Sequence, residues 1–152
     1  MKGIVAYYSR WGNCKRVAES IARGLEEVGH EVTLADAGSL QALGAEPDFV
    51  VAGSPTRAGK MASKMKRFIK RVIPDSWDGK PFAAFGTGLQ SALEKSEPNA
   101  ADGIHLVLVA KGLKPIAPAF KAGVAGMKGP LVDGELERAL EFGKEVGAAL
   151  GG

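Results

Sequence analysis

The chain has 152 residues, 45% of them hydrophobic and 24% charged, a composition that suits one globular domain and leaves no room for two ordinary ones. No apolar run approaches the roughly 18 residues of a membrane span, and MKGIVAYYSR has the form of neither a signal nor a transit peptide, so a single cytoplasmic domain over 1–152 is expected. The net charge of +3 comes without aromatic or groove-reading motifs, which sets nucleic acid aside, and one cysteine with two histidines offers neither a disulfide nor a metal-ligand spacing.

Ile4 to Tyr8 is apolar without polar alternation, the mark of a strand buried on both faces. After a polar turn from Ser9 to Asn13, the residues Cys14, Val17, Ala18, Ile21, Leu25 and Val28 recur at helical spacing, with Asn13 as the expected cap and Gly29 as the stop. His30, just past that stop, is expected in solvent. Glu31 to Ala35 reads as a strand, followed by a short polar turn from Asp36 to Pro47. Phe49 to Ala52 is a second buried run leading into the turn Gly53 to Lys60, after which Met61, Met65, Phe68, Ile69 and Val72 predict a helix that Pro74 ends.

Phe82 to Phe85 repeats the buried run and leads into Gly86 to Ser91. Within Asn99 to Lys111 the segment IHLVLVA alone would pass for a strand, but NAAD before it and Gly112 after it frame a helix between two strands, with His105 structural. Lys114 to Phe120 reads as a strand that Pro115 and Pro118 confine to a sheet edge, because proline has no N–H for a ladder. Lys121 to Pro130 is glycine-rich and reads as a surface loop; a last helix carries Leu136, Ala139, Leu140, Gly143, Val146, Gly147 and Leu150, with Asp133 as its expected cap. Strands alternating with helices give an α/β class.

In open parallel sheets ligands sit beyond the carboxyl ends of the strands, so the three turns should meet at one site. The first offers small residues, the Ser9 hydroxyl and the unpaired N–H groups of a helix start, which suits a phosphate. Two nucleotide motifs fail on spacing. GSPTRAGKM has five residues between its glycines where a Walker loop has four, and Met61 stands where a magnesium-binding hydroxyl belongs. Gly86, Gly88 and Ser91 approach a dinucleotide fingerprint but lack the third glycine and the acidic strand end about 20 residues on.

YYSRWGNCKRVA, VVAGSPTRAG and FAAFGTGLQ, in this order and spacing, resemble the phosphate loop and the two ring loops of the flavodoxin family. The likeness spans the whole chain. It implies a doubly wound, five-stranded parallel sheet in the order 2-1-3-4-5, helices on both faces, and noncovalently bound FMN. The cofactor-binding residues it implies are Ser9, Arg10, Trp11, Gly12, Asn13 and Cys14 at the phosphate, and Pro55, Thr56, Arg57, Ala58, Gly59, Gly86, Thr87, Gly88, Leu89 and Gln90 at the ring. Ser9, Gly12 and Asn13 match the family pattern, while Trp11 and Cys14 replace threonines whose hydroxyls would contact the phosphate. Arg10 can compensate by charge. Arg57 stands near the place of a family aromatic, and Leu89 replaces a tyrosine or tryptophan. Ala58 or Gly59 is the small residue whose peptide would turn a carbonyl toward the ring N5–H. Cys14 is expected as a small filler rather than a reactive thiol.

Lys60, Lys64, Lys66, Arg67, Lys70 and Arg71 fall in one run without an acid, a face for an acidic redox partner or for a pyridine-nucleotide phosphate, if it is more than a solvated helix surface. Three readings follow: an FMN electron-transfer protein serving separate oxidoreductases, an FMN-dependent NAD(P)H:quinone or small-acceptor reductase, and a flavin-free interaction module of the same fold.

Overall fold

Ile4 to Ala6, Phe49 to Ala52 and Phe82 to Phe85 are buried throughout, so each belongs to a strand covered on both sides. The computed structural model describes residues 1–151 and places these runs in the centre of a parallel sheet. Strand β1 (Lys2–Tyr7) lies between β2 (Glu31–Asp36) and β3 (Phe49–Arg57). Beyond β3 comes β5 (Pro81–Leu89), and the outermost position is shared by two short strands, β6 (Lys114–Pro115) and β7 (Phe120–Val124), both parallel to β5. A two-residue strand, β4 (Lys60–Met61), folds back antiparallel on the end of β3. The expected five-position order, 2-1-3-4-5, is the one observed, with the fifth position split.

Helices α1 (Asn13–Glu27) and α5 (Glu135–Leu150) cover one face, where Val17, Ile21, Leu25, Phe142 and Val146 pack on Val5, Phe49, Val51 and Phe85. On the other face lie α2 (Ser63–Arg67), a wider turn over Phe68–Val72, and α4 (Ala100–Ala110), whose Met65, Phe68, Ile69, Ile104 and Leu108 pack on Ile4, Val50, Ala52, Phe82 and Ala84. Adjacent residues of each strand thus serve opposite cores. The segment IHLVLVA is helical, capped by Asn99, whose side chain accepts from the Asp102 amide at 3.0 Å.

Several boundaries differ from expectation for local reasons. Met61 is not on the helix: Ala58 and Gly59, both at positive φ (49° and 78°), make a two-residue reversal, so Arg57 pairs with Lys60 and Thr56 with Met61, and the helix starts at Ser63. Strands β3 and β5 run beyond their apolar cores through small residues, so Gly86 to Leu89 are ladder positions rather than a loop. The expected edge strand breaks after Pro115 and resumes at Phe120, so Lys121 to Val124 belong to β7 and the loop spans only 125–130. Small residues hid that strand; Gly123 faces Gly88 across the ladder, and the Gln90 side chain lies over it.

The segment from Asp36 to Pro47 is not wholly polar, since Ala37 is buried and Leu40 and Leu43 pack on the core. Helix α5 is capped by the backbone of Gly134 and not by Asp133, and α1 by Gly12 and not by Asn13. His30 is buried rather than solvated. Its Nε2 donates to the Gly147 carbonyl at 2.9 Å and its Nδ1 accepts from the Met1 ammonium at 3.2 Å, a tautomer fixed by a partner that only accepts and one that only donates.

Candidate functional site

The carboxyl ends of β1, β3, β5 and β7 open on one cleft of about 980 Å³. Its first wall is the turn between β1 and α1. The Ser9 hydroxyl accepts from the Gly12 amide at 3.1 Å, which curls the turn, and Gly12 sits at φ 91° with open space where a side chain would project. No side chain caps α1, and its first turn carries no acid, so its leading amides have neither a side-chain acceptor nor a countercharge from that turn. Cys14 is fully buried and burial pushes its thiol well above the ordinary range, which makes it an inert filler at a position where a helix start would otherwise favour a thiolate.

The second wall is the β3–β4 reversal, Pro55 to Lys60. Ser54 beneath it is buried and ties the strand to the start of α2, accepting from the Ala62 amide at 2.8 Å. The Thr56 hydroxyl accepts from the Ala100 amide at 3.0 Å, so this residue lines the cleft while its oxygen steadies α4. The third wall is Thr87, Gly88 and Leu89 at the end of β5 with Ala92 of the following short helix, α3 (Gln90–Glu94). Leu89 and Trp11 are each 45% exposed, two apolar groups presented to the cleft mouth.

All the expected site residues line this cleft except Gly12, Gly86 and Gln90. Gly12 shapes the turn from behind. Gly86 is a packing position, because a Cβ there would come 2.9 Å from both the Ala101 nitrogen and the Ser54 carbonyl oxygen. The Gln90 side chain turns away to Gly123.

Ala92, Glu97, Pro98, Val124 and Met127 line the cleft without having been expected there, and Lys60, expected at the end of the second turn and on the basic face, lines it as well. Val124 and Met127 come from the stretch read as a plain surface loop; GVAGM held the only hint, two apolar residues among glycines. Arg10, Arg57 and Lys60 are exposed cations on the lining, against one lining acid, Glu97. Among the described residues none of the three cations pairs with a carboxylate, so the cleft carries a positive field.

A family model for the flavodoxin domain matches residues 4–115. A flavodoxin of Aquifex aeolicus (strain VF5) is 40% identical over 93 residues, which cover 57% of this chain and 49% of that protein. An NAD(P)H dehydrogenase (quinone) of Geotalea daltonii is 35% identical over 95 residues, covering 45% and 46% respectively. The chain spans about half the length of the curated relatives it matches. Among solved structures, a flavodoxin from the domain Archaea superposes with a TM-score of 0.80 at 23% identity over 97% of both chains, and oxidised Flavodoxin 2 from Bacillus cereus with 0.75 at 22% over 97% of this chain and 99% of that one. At such identities the likeness is one of fold.

Proposed function

This chain belongs to the flavodoxin family, and on that footing we propose that it binds FMN noncovalently in the cleft and carries electrons between separate oxidoreductases in the cytoplasm. The observation that carries the reading is the convergence of three separate chain segments on one cleft, lined at the uncapped start of α1 by Ser9, Arg10 and Asn13. An anionic group fits there, because the Gly12 amide is held by Ser9 while no side chain caps the helix start and no acid neutralises its first turn. Ser9 to Cys14 would hold the phosphate; Pro55 to Gly59 on one side, and Thr87 to Leu89 with Trp11 on the other, would enclose the ring.

FMN, when bound, supplies one- and two-electron redox chemistry, and the protein sets its direction and potential. The Ala58–Gly59 reversal presents a peptide at a position where glycine permits either orientation of the carbonyl. Arg57 and Lys60 favour added negative charge, so the fully reduced couple should lie at a less negative potential than in an acidic member of the fold; a redox titration that gives an equal or lower potential contradicts this.

Partner docking follows the same charge. Lys60, Lys64, Lys66, Lys70 and Arg71 are exposed and belong to no ion pair among the described residues, whereas Arg67 turns inward to the Leu40 carbonyl at 3.3 Å and the Gln41 side chain. The free five form the surface offered to an acidic redox protein. Among the described residues no helix is long and apolar enough to cross a membrane. The second reading, direct reduction of a quinone or another small acceptor by NAD(P)H, draws on the relatives named NAD(P)H dehydrogenase (quinone) and on the cationic cleft mouth.

The test is a visible spectrum of the purified chain with and without added FMN, followed by dithionite titration and then by NADPH alone. Flavin absorbance that dithionite bleaches and NADPH does not supports the electron carrier. Steady NADPH consumption supports the reductase. A protein that stays colourless in excess FMN removes both and leaves the flavin-free module.

A further inference from the structure

Asn13, the first residue of α1, donates through Nδ2 to the carbonyl of Lys128, 115 positions away, at 3.1 Å. Gly129 then backs directly on the Asn13 amide; a Cβ there would stand 2.8 Å from Nδ2, and φ is +106° besides, so the close approach requires glycine. The loop over 125–130 is thereby fastened to the turn that begins α1. Two cations rest on the ring of Trp11 at this junction: the Arg10 guanidinium carbon is 5.1 Å from its centroid and the Lys128 ammonium 4.9 Å. Neither forms an ion pair with a carboxylate among the described residues. Where the resemblance implies two threonine hydroxyls, this turn has Trp11 and Cys14, and two positive charges stand beside it, one of them from a distant loop.

We propose that Lys128, together with Arg10, forms the charged half of the phosphate site, so that this chain selects phosphorylated over unphosphorylated flavin by the dianion's charge where the family pattern uses threonine hydroxyls. The inference rests on the FMN reading above. Asn13 anchors the Lys128 carbonyl, so Lys128 stands beside the turn, next to Met127 of the cleft lining, and Trp11 presents a face on which both cations rest without neutralising either. A phosphate near the two gains an attraction that bulk salt weakens, since charges at an exposed mouth are screened over about 10 Å at ordinary ionic strength. Riboflavin, which lacks the phosphate, gains nothing from either.

The experiment is calorimetric titration of the flavin-stripped protein and of its Lys128→Gln, Arg10→Gln and Lys128→Arg variants with FMN and with riboflavin, at about 20 mM and about 500 mM salt. In low salt, Lys128→Gln and Arg10→Gln should each weaken FMN about fivefold and leave riboflavin unchanged, while Lys128→Arg keeps the parent affinity. In high salt the differences should shrink below about twofold. If the glutamine variants bind FMN as the parent does, or weaken both flavins alike, the charge selection is wrong and the FMN reading stands. If the parent binds neither flavin in either salt, the FMN reading falls and takes this inference with it.

Discussion

Helices α1 and α4 both begin at the carboxyl edge of the sheet, yet their first turns are built in opposite ways. At α4 the protein closes the end itself: the Asn99 side chain accepts from the Asp102 amide, the Thr56 hydroxyl accepts from the Ala100 amide, and Asp102 places a carboxylate against the positive end of the helix. At α1 it holds only the Gly12 amide, through the Ser9 hydroxyl. Gly12 has no side chain to cap with, the first turn holds no acid, and Lys15 and Arg16 add like charge to an end that is already positive. A cap is worth about 1 kcal/mol, so α1 gives up stability that α4 keeps. On the FMN reading proposed above, the α1 end is the one left for an outside anion.

A helix without a cap needs an anchor elsewhere, and α1 has one in its crossing with α5. A Cβ on Gly24 would collide with the Leu140 carbonyl and come 2.9 Å from the Lys144 nitrogen and 3.0 Å from the Gly143 Cα, all backbone atoms that cannot swing aside. Gly24→Ala should therefore have the largest effect, about 3 kcal/mol of stability, seen as a fall of roughly 6–12 °C in Tm. A loss under half of that would mean that the crossing does not hold α1 and that its open end is unexplained. Next comes Ser9→Asp, which keeps an acceptor for the Gly12 amide but closes the α1 end with a carboxylate, as Asp102 does at α4. FMN affinity should drop on the order of 100-fold while Tm holds or rises, because the added charge opposes the phosphate and favours the helix.

The contrast also separates what the sequence made readable from what it did not. Helix α1 was plain from its apolar period and its Gly29 stop, and α4 from NAAD and Gly112, even though IHLVLVA is apolar nearly all round. The turn proposed to hold the phosphate was legible as a turn because Ser9, Gly12 and Asn13 are local. Contacts across the chain were not: nothing near Lys128 announces that Asn13 will hold its carbonyl, and nothing near His30 shows Gly147 waiting to accept from it. Strand ends were lost where small residues filled ladder positions, as at Gly86, Gly88, Ala122 and Gly123, because glycine and alanine carry little β signal, and a Cβ on Gly86 or Gly123 would meet a neighbour closely. Met61 was misplaced because it is apolar at helical spacing, while the two positive φ angles before it decide the fold locally.

Asn99→Ala tests the closed end from the other side. It removes the acceptor for the Asp102 amide and the donor to the Asp102 carboxylate, 2.9 Å away, and should cost about 1 kcal/mol, a Tm loss of roughly 2–4 °C. FMN affinity should stay within about twofold, since this end already has its partners. A loss of affinity as large as that of Ser9→Asp would erase the distinction between the two helix starts.

Cys14 supplies the smallest effect and the finest discrimination. A thiol in the first turn of a helix is ordinarily pushed toward the thiolate by the positive end, yet here burial dominates and pushes it the other way. Raised in the folded state, the group contributes stability that is fully present below the pKa of the unfolded thiol, near 8.5, and is lost as the pH climbs above it, because only the unfolded chain then ionises. Denaturant titrations at about pH 7 and about pH 10 should show the parent losing more stability than Cys14→Ala over that interval, by up to about 2 kcal/mol. An equal loss in both proteins, or ready alkylation of the native thiol at about pH 8, would mean that the helix end governs Cys14 after all and that the site holds a reactive thiolate beside the phosphate turn.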